Sequence, residues 1–104
     1  MAVITEDTAR ELALALPGAI EQDHHGFPSF RVNGRIFATL PQPDRLRAML
    51  DEPEIRTAAS EHPEACTEYY WGKRLACVEI DLAGTDAELV RDLLAQAWEH
   101  QAHR

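Results

Sequence analysis

The centre of the chain carries one stretch in which apolar and polar residues alternate around a single Asn-Gly pair: Phe30-Arg31-Val32-Asn33-Gly34-Arg35-Ile36-Phe37-Ala38-Thr39-Leu40. Such a pair between alternating runs is typical of a β-hairpin. A two-residue loop pairs Phe30 with Phe37, whereas a three-residue loop with a bulge at Gly34 pairs Phe30 with Ile36. The second register is favoured, because it gathers Phe30, Ile36, Ala38 and Leu40 on one face and leaves Ser29, Arg31, Phe37 and Thr39 on the other.

Helices are predicted at both ends of the chain. Thr5 is a suitable N-cap for a helix over residues 5–16, which Pro17 and Gly18 end. Thr85 and Glu88 have the spacing of a capping box before a second helix over about residues 85–102. The second helix carries an apolar stripe that consists of Val90, Leu93, Leu94, Ala97 and Trp98.

Further strands and one short helix are predicted between these elements. Period-two patterns indicate strands near residues 19–24 and over residues 45–50, 67–71 and 75–82. Pro53 suits the first turn of a helix that runs to about Glu61. The order predicts an α+β fold with a single domain over residues 1–104: a two-layer sandwich with an antiparallel sheet and the N- and C-terminal helices packed on one face.

Composition excludes several classes of protein and leaves one charge feature. The 104 residues carry a formal net charge of −8, which argues against coating nucleic acid by bulk charge. Residues 24–50 nevertheless carry a local charge of +3. The sequence has no long apolar run and no secretory signal pattern, and it has only two cysteines, so we expect a cytoplasmic protein without a membrane partner.

Catalytic and metal-binding patterns are not found in the sequence, which predicts a protein that is not an enzyme and has no cofactor or metal. His24 and His25 point to opposite faces of a strand, so we predict a polar strand end or a His25 packed beside Phe27. His100 and His103 are predicted to be solvated at the end of the last helix. The cysteines, Cys66 and Cys77, are predicted to be packing residues.

The basic centre of the chain supplies the candidate binding surface. In the favoured register Arg31, Phe37 and Thr39 share the sheet face away from the helices, and Arg45 and Arg47 join them. Interleaved arginine and aromatic side chains stack on bases and hold phosphates or carboxylates. A second cluster lies in the stretch 69–74 and includes Tyr70, Lys73 and Arg74. A solvated sheet face is the competing interpretation.

Three stretches of the sequence resemble a known family. They are Ala9-Arg10-Glu11-Leu12-Ala13-Leu14-Ala15-Leu16-Pro17-Gly18-Ala19, the stretch from His25 to Ala38 that reads HGFPSFRVNGRIFA, and Trp71-Gly72-Lys73-Arg74-Leu75-Ala76 with the later Asp81-Leu82 and Ala97-Trp98. These stretches resemble the bacterial MmcQ/YjbR-like family over nearly the whole chain. The sequence departs at Cys77, where many similar sequences have an aromatic residue.

The resemblance implies a CyaY-like fold of the frataxin type and a DNA-binding role. The function predicted on this basis is a non-enzymatic binding module for nucleic acid or an acidic protein surface, acting as a monomer or weak dimer. The alternatives are a metal-handling domain, by analogy with the frataxin-type fold, and a protein-interaction module.

Overall fold

A computed structural model describes residues 4–103 of the chain. The elements follow in the order α1 (Glu6–Leu14), β1 (Ile20–His24), β2 (Phe27–Val32), β3 (Arg35–Gln42), β4 (Arg45–Ala48), α2 (Glu52–Glu61), β5 (Cys66–Trp71), β6 (Arg74–Asp81), a short 3-10 turn (Leu82–Gly84) and α3 (Ala87–Ala102). The strands form one antiparallel sheet in the order β1-β2-β3-β4-β6-β5. The predicted α+β class and antiparallel sheet are therefore confirmed.

Side-chain caps begin the three helices. The hydroxyl of Thr5 accepts a hydrogen bond from the Thr8 N–H, as predicted for α1. Asp51 and Glu54 form a reciprocal capping box at the start of α2. The predicted cap of α3 was wrong by one residue, because Asp86 rather than Thr85 accepts the hydrogen bond from the Leu89 N–H. A carboxylate at this position also interacts favourably with the positive end of the helix dipole.

The prediction of a three-residue loop in the β2–β3 hairpin was wrong. Val32 pairs with Arg35, so Asn33 and Gly34 form a two-residue turn in which both have positive φ, 52° and 79°. Two such residues are the signature of a type I′ turn, whose twist matches that of the strands.

The apolar pattern is accommodated instead by a bulge inside β3. Arg31 pairs with Ile36 and Phe30 pairs with Ala38, which leaves Phe37 as the extra residue. Phe37 is fully buried, whereas Ile36 is half-buried on the face of Arg31. The predicted positions of Phe37 and Ile36 on the two faces were therefore wrong, because the register changes within the strand and not in the loop.

Rows of paired residues across the sheet define its two faces. One row runs through Phe30, Ala38, Ala48 and Val78, all fully buried, and ends at Glu68, which pairs with Arg56 of α2. This face carries the helices and the hydrophobic core. The neighbouring row lies on the helix-free face and consists of Ser29, Thr39, Arg47, Glu79 and Thr67.

Strand β4 is shorter than predicted, and its end creates a gap in the sheet. It ends at Ala48, while β3 continues to Arg35 and β6 continues to Arg74 on either side of it. Past this end the Met49 N–H donates to the Phe37 carbonyl, and the Met49 carbonyl accepts from the Gln101 side chain of α3. A second bulge, in β6 at Ala76, also lies beyond the end of β4, which pairs with β6 only as far as Val78. The two bulged strands therefore flank a space that no strand fills.

None of the helices within residues 4–103 is long and apolar enough to cross a lipid bilayer.

Candidate binding face and cleft

Arg47 lies near the centre of the helix-free face and is held on two sides. Its Nε donates to a carboxylate oxygen of Glu79 at 2.9 Å, and its guanidinium lies 3.8 Å from the ring centroid of Tyr69. Glu79 is directly opposite Arg47 in the β4–β6 ladder, so the sheet register itself creates the ion pair. Its charge is therefore balanced within the protein.

The charge of Arg45 is also balanced by a carboxylate across the ladder. It lies opposite Asp81 in the ladder, and its Nη1 is 2.8 Å from a carboxylate oxygen of Asp81. A second carboxylate, that of Asp44, lies 3.9 Å away. The two arginines predicted to attract an anionic partner thus lie on the predicted face, but each has an acidic partner there.

Arg31 and Thr39 also lie on the helix-free face. The Arg31 Nε donates to the Ser29 hydroxyl at 3.2 Å, and that hydroxyl donates to the Gln22 carbonyl. Thr39 is buried beside Ser29, with which it pairs. Phe37, which the sequence placed beside them, belongs to the core and has no exposed surface for a ligand.

The tip of the β5–β6 hairpin presents the second predicted cluster. Trp71 is 54% exposed, and the Arg74 guanidinium lies 5.5 Å from its ring centroid. Lys73 is exposed in the turn between them, where Gly72 has the positive φ that the turn requires. Among residues 4–103 no carboxylate forms an ion pair with Arg31, Lys73 or Arg74.

Tyr70 is separated from this cluster. Its hydroxyl donates to the Glu68 carboxylate at 2.7 Å, and Glu68 in turn pairs with Arg56 of α2. The hydrogen bond to Glu68 is the main cause of a raised pKa for the Tyr70 phenol. The tyrosine that stacks with an arginine on the helix-free face is Tyr69, which the strand alternation places on the opposite side from Tyr70.

A cleft of about 350 Å³ opens where β4 ends. Ile36, Met49 and Ala76 line it from the gap between β3 and β6, together with Thr39 and Arg47 from the helix-free face. One hairpin tip adds the rings of His24 and Phe27, and another adds the Trp71 ring and the Arg74 guanidinium. The remaining lining residues are Leu50, Asp51, Glu52, Leu75, His100 and Gln101. The cleft thus combines apolar and polar lining residues in nearly equal share, and its volume lies within the range of small-ligand sites.

The positions of the histidines match their predictions in part: His103 is exposed, as predicted, and His24 lies at a strand end, which was one of the two alternatives. The ring of His24, not that of His25, packs edge-on against Phe27, with 5.4 Å between centroids. His25 occupies the turn with a φ of 54°. His100, predicted to be solvated, is half-buried and lines the cleft. It also comes within metal-ligating reach of Asp51 and Glu54, an arrangement that the sequence could not indicate because α2 and α3 are far apart along the chain.

Both cysteines are free and buried, as predicted. Burial raises the pKa of the Cys66 thiol to about 11 and has the same effect on Cys77, whose pKa is also about 11. Thiols with such a pKa are protonated near neutral pH and are weak nucleophiles. Cys66 and Cys77 pair with different residues across the β5–β6 ladder, Ile80 and Tyr69, so they do not face each other.

The fold and the cleft together define a class of protein: a small α+β domain with helices on one sheet face and a ligand-sized cleft at a gap in the sheet. The family model YjbR matches residues 14–100, and the chain therefore belongs to the YjbR family. The resemblance predicted from the sequence is confirmed.

A solved structure supports the fold. The chain is similar to protein DR2400 of Deinococcus radiodurans, whose crystal structure contains the family-model domain DUF419, with a TM-score of 0.76 and 24% sequence identity. The match covers 92% of this chain and 77% of that chain. Among curated proteins, none matches the sequence significantly.

Proposed function

We propose that the protein is a non-enzymatic binding module that takes a short single-stranded segment of nucleic acid on the helix-free face of its sheet. The observation that carries the proposal is the exposed ring of Trp71, with Arg74 beside it, at the edge of the cleft. Stacking of a base on an aromatic side chain contributes about 1–3 kcal/mol to binding and requires no particular base. A cleft of about 350 Å³ suits a group the size of one nucleotide.

Phosphate contacts in this proposal come from the cations that lack an acidic partner. Arg31, Lys73 and Arg74 meet this condition, whereas Arg45 and Arg47 are balanced by Asp81 and Glu79. Three phosphate contacts give weak binding with a modest salt dependence, a slope of roughly −2 in a plot of log K against log salt for a single strand. This small number is consistent with a net charge of −8, which disfavours long contacts with a polyanion.

The test is fluorescence anisotropy with a labelled oligothymidylate at low salt. Replacement of Trp71 by alanine is expected to weaken binding about tenfold, through loss of one stacking contact. Tyr70→Ala is the matched control, because Tyr70 is a neighbouring exposed aromatic (44%) that bonds to Glu68 near α2. Its effect on binding is expected to be much smaller than that of Trp71→Ala.

Charge variants test the phosphate contacts. Arg74→Gln is expected to weaken binding and to flatten the salt dependence, whereas Arg91→Gln, the same change at an exposed position of α3, leaves both unchanged. The proposal is wrong if no oligonucleotide binds at low salt, or if Trp71→Ala binds as the unchanged protein does. If the protein binds an acidic peptide but no oligonucleotide, its partner is an acidic protein surface instead.

A further inference from the structure

We propose that Asp51, Glu54 and His100 form a binding site for a divalent first-row transition-metal ion. The two carboxylates belong to the start of α2, and the imidazole belongs to the last turn of α3. The ligand atoms of the three side chains all lie within 4.8 Å of one another. This site does not depend on the proposed nucleic-acid function.

The distances between the ligand atoms of the three side chains are close to those between two ligands of one metal ion. Metal bonds to carboxylate oxygen and imidazole nitrogen are about 2.0–2.2 Å long, so two ligands of one ion are about 3–4 Å apart. The difference from the 4.8 Å limit is about 1 Å, which is within the range of small side-chain adjustments on binding. The ligands come from two helices, so an ion here would also join α2 to α3.

The capping box of α2 holds the carboxylates in place and leaves part of each one free. One oxygen of Asp51 accepts from the Glu54 N–H at 3.0 Å, and one oxygen of Glu54 accepts from the Asp51 N–H at 3.3 Å. Each carboxylate therefore keeps a second oxygen for an ion. Within residues 4–103 neither carboxylate has a basic partner within 4.0 Å, so a cation would balance their charge.

The imidazole of His100 is half-buried beside the capping box but takes no part in it. The imidazole makes no hydrogen bond, ion pair or ring contact within the part of the chain that the structure describes, although it lies beside two carboxylates. A neutral imidazole is a preferred ligand of transition metals. His100 and Asp51 also line the cleft, so an ion held by them is accessible from it.

The donor set selects the class of ion. Two carboxylate oxygens and one imidazole nitrogen suit Zn²⁺, Co²⁺ and Mn²⁺, whereas Mg²⁺ and Ca²⁺ prefer ligands that are all oxygen. Affinity at such a site rises from Mn²⁺ to Co²⁺, and Zn²⁺ lies above Mn²⁺ in the same order. We therefore expect Zn²⁺ to bind more tightly than Mn²⁺, and both more tightly than Mg²⁺.

Isothermal titration of the full chain, without a polyhistidine tag, tests the site with Zn²⁺, Mn²⁺ and Mg²⁺. One saturable Zn²⁺ site per chain is expected. His100→Gln is expected to weaken it roughly 100-fold, since loss of even an outer-shell partner costs about 10–100-fold. Glu54→Gln keeps an oxygen for the cap and is expected to weaken Zn²⁺ binding as well.

His103→Gln is the matched control, because His103 is exposed one turn further along and pairs with Glu99 at 3.5 Å. It is expected to leave Zn²⁺ binding unchanged. Zn²⁺ is also expected to raise the melting temperature of the unchanged chain and of His103→Gln but not of His100→Gln. A cooperative melting transition without metal shows that each variant is folded. Absence of saturable Zn²⁺ binding, or equal binding by His100→Gln, would overturn the proposal, as would a larger loss in His103→Gln.

Discussion

Arg47 shows how a single residue can be well placed for a ligand and yet be engaged within the protein. Its guanidinium is stacked on Tyr69 and bonded to Glu79, and both its side chain and that of Glu79 are about three-quarters buried (21% and 25% exposed). An ion pair at such a partly buried position persists better in salt than one at the surface. Arg47 therefore contributes little positive potential to the face on which it lies.

Removal of the Glu79 charge should release Arg47 for a ligand. We expect Glu79→Gln to strengthen oligonucleotide binding by about two- to fivefold, since an ion pair that still has contact with solvent accounts for about 1 kcal/mol or less. Anisotropy at low salt measures the change. Glu88→Gln, which makes the same charge change on exposed α3, is the control, and an equal gain in that variant would mean that net charge rather than Arg47 is responsible.

From the raised pKa of the two cysteine thiols we expect the free energy of unfolding to fall at alkaline pH. Their pKa is about 11 in the folded protein, above the ordinary value of about 8.5, so the folded state binds more protons than the unfolded state between these values. Stability therefore falls as the pH rises from about 8.5 to about 11. Urea unfolding midpoints across this range measure the fall.

A double variant separates the contribution of the cysteines from that of Tyr70, because the raised pKa of Tyr70 also makes stability fall as the pH rises. Cys66→Ala with Cys77→Ala is expected to lose less stability over the same pH range than the unchanged protein. An identical decline in both would assign the effect to other groups.

At the scale of elements, the bulges in β3 and β6 decide the form of the sheet. Each inserts one residue, Phe37 or Ala76, next to the end of β4. A bulge increases the local twist and turns the strand away from its neighbour. The cleft lies at this point, lined by Ile36, Met49 and Ala76. The cleft is thus a consequence of a short strand between two longer, bulged strands.

The start of α3 offers a direct check on the position of its cap. Asp86→Ala is expected to destabilise the protein by about 1 kcal/mol, because it removes the acceptor of the Leu89 N–H. Thr85→Ala should cost much less, since the Thr85 hydroxyl makes only a 3.5 Å contact with the Asp86 carbonyl. Urea denaturation compares the free energy of unfolding of the two variants. A larger decrease in Thr85→Ala than in Asp86→Ala would show that Thr85 is the cap.

At the scale of the whole molecule, folding redistributes the charge that the sequence shows as segments. Residues 24–50 carry a charge of +3, but Asp81 and Glu79 come from a distant segment and balance two of its arginines. Among the described residues of the helix-free face, Arg31 and the cations at the tip of the β5–β6 hairpin have no acidic partner. The protein therefore presents a small basic and aromatic area on an acidic surface.

This distribution predicts a preference for single strands over duplexes. Duplex recognition uses a helix or a ribbon in the major groove, whereas the helices here pack against the sheet and α3 presents acidic residues such as Glu88 and Asp92 to solvent. We expect a labelled single strand to bind more tightly than the duplex of the same sequence at the same low salt. Competition between the two forms measures the preference, and tighter binding of the duplex would contradict it.

The predicted elements were largely correct because their signals are local. The Thr5 cap, the short helix after Asp51 and the strands around Gly72 depend on residues within a few positions of one another. The family resemblance was also visible in contiguous stretches. The Asn33-Gly34 pair was correctly read as a hairpin turn, but the choice between its two registers was wrong because a bulge satisfied the apolar pattern elsewhere.

The candidate site was predicted less completely. The sequence named Arg31, Lys73 and Arg74 as candidates, and among residues 4–103 none of them has an acidic partner. It also placed Arg47 on the helix-free face, where the structure has it. It did not select Tyr69 over Tyr70 as the aromatic beside Arg47, and it did not indicate that His100 lies near Asp51. Both relations depend on how separate elements pack, which no spacing along the chain records.

By itself, the sequence determined the class of fold, the order of its elements and the family, because periodicity, caps and turn residues act over a few neighbouring positions. Only the tertiary structure decided the burial of Phe37, the gap after Ala48 and the cleft within it. It also decided which cations have an acidic partner, since Glu79 lies 32 residues along the chain from Arg47, with which it forms an ion pair. Strand register and packing bring such groups together, and these depend on the free energy of the whole core rather than on any one stretch of the chain.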